Sequence, residues 1–74
     1  MSTRDLLGKR LLELMKKNNI SASQLSRDLK ISRSVIERLK KGMSDPRLST
    51  LESLAGFFHT TLDGLFYDLK INNY

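Results

Sequence analysis

The stretch "SASQLSRDLKISRSVIERLKKG", Ser21 to Gly42, leaves this chain the least freedom. Ser21 and Gln24 form a capping box, in which the serine accepts from the backbone and the glutamine reaches back. Ser32 is the natural N-cap of a second helix, and Gly42 supplies the positive φ that stops it. Apolar residues recur at helical spacing, Leu25 and Leu29 in the first segment and Val35, Ile36 and Leu39 in the second. The connection across "LKIS" is about three to four residues, so the helices must cross steeply, with Ile31 placed to plug the corner. The first segment is too short to be a stable helix unless packed.

The flanking sequence supplies the packing partners. A first helix is expected from about Asp5 to Lys17, capped by Ser2 or Thr3, with Leu7, Leu11 and Leu14 on one face and "KKNN" at its end. After Gly42, "MSDPRL" reads as a loop, because Pro46 forbids helix at Asp45. Ser49 and Glu52 suggest another capping box, opening a fourth helix that runs to about Phe58 with Leu51, Leu54, Ala55 and Phe58 inward. Thr61 then caps a short fifth helix, "LDGLFY", with Asp63 in its first turn. The tail "DLKINNY" alternates weakly and reads as an edge strand or a frayed end. The expected organisation is one all-α domain over residues 1–66, followed by a tail over 67–74.

The composition narrows the chemistry. Cysteine is absent and His59 is the single histidine among 74 residues, which removes zinc fingers, disulfide scaffolds and thiol catalysis. His59 has no oriented Ser or Asp partner and suits a helix end. No "GxxxxGK" run exists for a phosphate loop. The expectation is therefore a protein that is not an enzyme and needs no metal or cofactor. No apolar run approaches a membrane span and "MSTRDLLGKR" has no signal-peptide core, so a soluble, cytoplasmic protein is expected.

The net charge is +5, and it is unevenly spread. Residues 1–47 carry twelve bases against five acids, whereas residues 48–74 carry one base against three acids. A basic larger part and a slightly acidic end fit a polyanion on one face and something else on another. If Val35, Ile36 and Leu39 are buried, the third helix presents Arg33, Ser34, Glu37, Arg38 and Lys41 outward. A helix fits the DNA major groove, arginine can bond guanine at two atoms, and residues near the helix N-terminus reach base edges.

With these residues in place, the chain resembles the lambda-repressor-like, Cro-type helix-turn-helix proteins, also called the xenobiotic-response-element (XRE) family. The matching pieces are "LGKRLLEL", "NNISASQLS", "ISRSVIERLKKG", "PRLSTLESLA" and "TTLDGLF", in order and ungapped from about Leu7 to Phe66. The resemblance implies a five-helix domain that binds double-stranded operator DNA, usually as a homodimer, with a recognition helix at about residues 33–41 in the major groove. It implies base contacts from Arg33, Ser34 and Arg38. Glu37 lies beside them, either accepting from a cytosine amino group or pairing along the helix with Arg33 or Lys41. Backbone contacts are implied for Ser21, Ser23, Ser32, Lys40, Lys41 and Arg47.

Several positions depart from the family pattern. Ala22 replaces a glutamine that reaches a phosphate, so Ser21, Ser23 and the helix-end amides must take over that clamp. Lys30 stands where a turn glycine is common, and a lysine holds positive φ only at a cost. Ser26 replaces a small alanine between helices two and three. Met15 and Lys40 together replace an arginine–glutamate salt bridge, which avoids leaving a lone acid and adds a positive charge near the phosphates.

Phe57, Phe66, Tyr67, Leu69 and Ile71 crowd the end of the chain. Phe66 is expected to close the core. A two-fold dimer face through Phe57, Leu65, Tyr67, Leu69 and Ile71 is the expected use of the others. The expected function is a sequence-specific transcriptional regulator, of repressor type, on a palindromic operator. The alternative is an antitoxin or adaptor that chiefly binds a toxin or other protein partner.

Overall fold

The computed structural model describes residues 2–67. Five helices follow in order: α1 (Thr3–Asn18), α2 (Ala22–Leu29), α3 (Arg33–Lys40), α4 (Leu48–Phe57) and α5 (Leu62–Phe66), with no strand among the described residues. The all-α, five-helix expectation holds. Leu69, Ile71 and the reading of "DLKINNY" lie outside the described residues.

Local chemistry sets most of the helix starts. The side chains of Ser2, Ser21, Ser32 and Thr61 accept from the amides of Asp5, Gln24, Val35 and Gly64, respectively. Each bond satisfies one of the amides that a helix leaves open at its beginning. At Ser21 the box is half formed, since no bond returns from the Gln24 side chain among the described residues. α4 departs from expectation. It begins at Leu48 with Arg47 as N-cap and no side-chain cap, so Ser49 lies inside the first turn. Arg47 is extended and its carbonyl accepts from Leu51, so the helical bonds start directly after Pro46, two residues too early for Ser49 to act as cap.

The first four helices stop in one way. Asn19, Lys30, Gly42 and His59 each take φ between 56° and 71°. The amide that follows each of them reaches back to the carbonyl five residues earlier, as in Ile20 to Met15, Ile31 to Ser26, Met43 to Arg38 and Thr60 to Ala55. This is the Schellman arrangement, in which a left-handed residue turns the chain back over the last helical turn. Only one of the four is a glycine. Lys30 adopts the strained conformation that its position in the turn suggested, and the Ser26 hydroxyl donates to the Ile31 carbonyl across it. The serine that replaces an alanine thus adds a second tie to the turn.

Leu7, Leu11, Met15, Ala22, Leu25, Ile36, Leu39, Leu54 and Leu65 form one buried cluster, with Ile20, Ile31, Val35 and Phe66 packed on it. α1 lies against α3 and α5, and α2 lies against α3 and α4. Gly8 is where α1 meets the end of α3. A β-carbon there would come within 2.8 Å of the Leu39 and Lys40 carbonyl oxygens, so only glycine allows this approach. Arg10 joins α1 to α5 by donating to the Gly64 and Leu65 carbonyls at 3.1 and 3.3 Å.

One expected dimer residue is corrected here. Leu65 is fully buried, at 0% exposure, within the core of its own chain. Thr61 fixes the phase of α5 so that Leu65 points toward α1, and Arg10 holds that turn in place. Tyr67 is 58% exposed, and Phe57 is partly buried edge-on to Phe58.

Candidate nucleic-acid interface

α3 is held by its inner face. Ile36 and Leu39 are buried and Val35 is half-buried, which leaves Arg33, Ser34 and Arg38 exposed on the other side. Ser32 caps the helix and its hydroxyl lies 3.3 Å from that of Ser34. Arg33 spans two helices: its Nη1 donates to Ser23 Oγ of α2 at 3.0 Å, and its Nε lies 3.7 Å from Glu37 Oε2. Arg38 has no ion pair among the described residues.

Glu37 lies between two cations. Lys40 Nζ donates to its Oε1 at 3.2 Å, and Arg33 approaches the other oxygen. The hydrogen bond from Lys40 holds the Glu37 carboxyl below its ordinary pKa; desolvation opposes it, and the charges of Lys40 and Arg33 add to the lowering. The partners are therefore Arg33 and Lys40, and Lys41 takes no part. The Lys40 side chain is 23% exposed. Much of the positive charge expected there for phosphates is occupied by Glu37.

A second part of the surface was not legible in the sequence. An open groove of about 430 Å³ runs between α3 and the start of α4, lined by Val35, Arg38, Asp45, Arg47, Ser49 and Thr50, among others. It brings Arg38, an expected base reader, beside Arg47, an expected backbone contact. The uncapped first turn of α4 opens beside it, with no side chain among the described residues capping its amides. Such amides and the positive end of the helix dipole attract phosphate. Ser49 concealed this, because a serine three residues before a glutamate reads as a cap that would have closed those amides. The one acid in the groove, Asp45, pairs with Arg4 at 3.2 Å on the surface.

The remaining expected contacts are dispersed. Ser21 and Ser23 are exposed on the first turn of α2, beside Arg33. Ala22, in contrast, is 7% exposed and part of the core, so the position that would hold the phosphate-reaching glutamine offers no side chain to a ligand. Lys41 is exposed at the end of α3 with no ion pair among the described residues.

A packed pair of short helices of this kind, with a cationic second helix and an open helix start beside it, agrees with the comparison of the sequence with known families. The model of the Cro/C1-type helix-turn-helix DNA-binding domain matches residues 10–68. The chain belongs to this family. No curated protein and no solved structure matches it. As a Cro/C1-type helix-turn-helix protein it is a DNA-binding regulator. No helix of the described residues is long and apolar enough to cross a membrane.

Proposed function

We propose that the protein is a transcriptional repressor that binds a palindromic operator as a homodimer, with α3 in the major groove. The observation that carries this reading is the arrangement of α3 itself. Its apolar side is locked into the core by Ile36 and Leu39, and its opposite side carries Arg33, Ser34 and Arg38 beside the groove that leads to Arg47 and the α4 amides. In this reading Arg33, Ser34 and Arg38 face base edges. Ser21, Ser23, Ser32, Lys41, Arg47 and the first amides of α4 hold the phosphates on either side, and Lys40 contributes through Glu37.

The dimer is proposed through α5 and the end of α4. Leu62 and Tyr67 are exposed apolar residues on and after α5, and Phe57 is half-buried nearby in the sequence of α4. Two-fold pairing there would set two copies of α3 about 34 Å apart, one turn of DNA. The same exposed residues suit the second reading, in which another protein chain occupies them.

Selection from a random DNA library at physiological salt tests the proposal. Recovery of an inverted repeat with half-sites about one helical turn apart supports it. Recovery of a single half-site, with a monomeric mass at high micromolar concentration, would remove the dimer. Failure to enrich any sequence would remove sequence-specific binding.

A further inference from the structure

We infer that Glu37 is a positioning residue for Arg33, and that it makes binding depend on the base that Arg33 meets instead of contacting a base itself. The inference rests on the reading of α3 as the recognition helix and deepens it.

An arginine at the first residue of an exposed helix is normally mobile, because four side-chain torsions separate its charge from the backbone. Here two helices restrain it. Ser23 of α2 takes one Nη1 hydrogen at 3.0 Å, and Glu37, one turn along α3, faces Nε at 3.7 Å. A guanidinium has five N–H groups. These two contacts involve Nε–H and one Nη1–H, on different edges of the plane, and leave one hydrogen on Nη1 and both on Nη2. The donors left, on a guanidinium held in one orientation, can pair with O6 and N7 of guanine.

The carboxylate itself is poorly placed to read a base. Its side chain is 35% exposed, and each of its oxygens already faces a cation of α3, Lys40 on one and Arg33 on the other. Its remaining effect on DNA is its charge. In a groove walled by phosphates, an acid adds like-charge repulsion to every docking, and that cost is offset only where the Arg33 it orients gains a base contact. The geometry thus couples orientation and rejection in one residue. Arg38 has no comparable restraint among the described residues.

The test uses the full chain, the duplex recovered from the library selection, and a duplex series with each base pair replaced in turn. Glu37→Gln, Glu37→Ala, Arg33→Ala and the double variant Glu37→Ala/Arg33→Ala are compared by fluorescence anisotropy at one salt concentration, with thermal unfolding as the control for folding. Glu37→Ala is expected to relax the preference at one base pair by about tenfold, and this is the same pair that Arg33→Ala relaxes. The double variant should be no more relaxed at that pair than Arg33→Ala alone. Glu37→Gln, which keeps the shape and removes the charge, should bind random duplex roughly threefold more tightly.

If Glu37→Ala and Arg33→Ala relaxed different base pairs, or if their effects added, Glu37 would be reading a base directly and the inference would fail. Unchanged preference in both Glu37 variants would also overturn it and leave the carboxylate a solvated surface group. A wild-type chain that selects no sequence defeats the underlying reading of α3, a result distinct from either of these.

Discussion

The first turns of α3 and α4 lie across one groove and are built in opposite ways. α3 begins at a serine whose hydroxyl occupies its backbone, so what it offers outward is side chains: Arg33, Ser34 and, a turn later, Arg38. α4 begins at Arg47 with no cap, so what it offers is backbone amides and the cation that precedes them. Side chains differ in their donors and can distinguish bases, whereas amides are alike and suit phosphate oxygens. A capped helix start beside an uncapped one thus divides the proposed labour between reading and holding.

The division depends first on α3 being fixed from below. Ile36→Ala removes a fully buried side chain from the centre of the cluster and is expected to cost about 2–5 kcal/mol in urea unfolding. A loss well under 1 kcal/mol would mean that the buried face does not set the position of the helix. The next effect separates the two starts directly. Arg38→Ala should lose about 1–3 kcal/mol of DNA affinity and relax one base position. A uniform loss across all sequences would place Arg38 with the phosphate contacts instead.

Arg47→Asp brings stability and binding into conflict at α4. An aspartate at this N-cap can accept from the open amides, so the fold should gain about 1 kcal/mol in chemical unfolding while DNA binding weakens on every sequence alike. A variant that gained stability without losing affinity would show that these amides do not hold DNA. The smallest effect is expected at the end of α3. Lys41→Ala should reduce the slope of log affinity against log salt by about 1, with base preference intact. An altered preference would extend the reading surface to the end of the helix.

Legibility in the sequence followed the range of the interaction. Ser21, Ser32 and Thr61 cap helices through bonds to amides three residues away, and Asn19 and Gly42 stop them within one turn, so short motifs sufficed for these. Ser49 misled for the same reason. The local pattern of a capping box was present, but the start of α4 is set by how the chain leaves Pro46 and docks Leu51 and Leu54. Leu65 misled on a larger scale. Nothing near it in the sequence states that Arg10 holds its carbonyl across 55 positions and turns it into the core.

The sequence by itself determined the five helices, their order, and the apolar stripe that turns the cationic side of α3 outward. These follow from backbone capping and from a repeat of about 3.6 residues, both of which act within a few positions. The tertiary structure alone decided which charges remain available. Packing places Ser23 beside Arg33, sets Arg38 and Arg47 along the same groove and buries Ala22 where a longer side chain would reach outward. Within α3, the chosen rotamers commit Lys40 to Glu37. A charge acts over a few ångströms of space, and neighbours in space are settled only when the helices have packed.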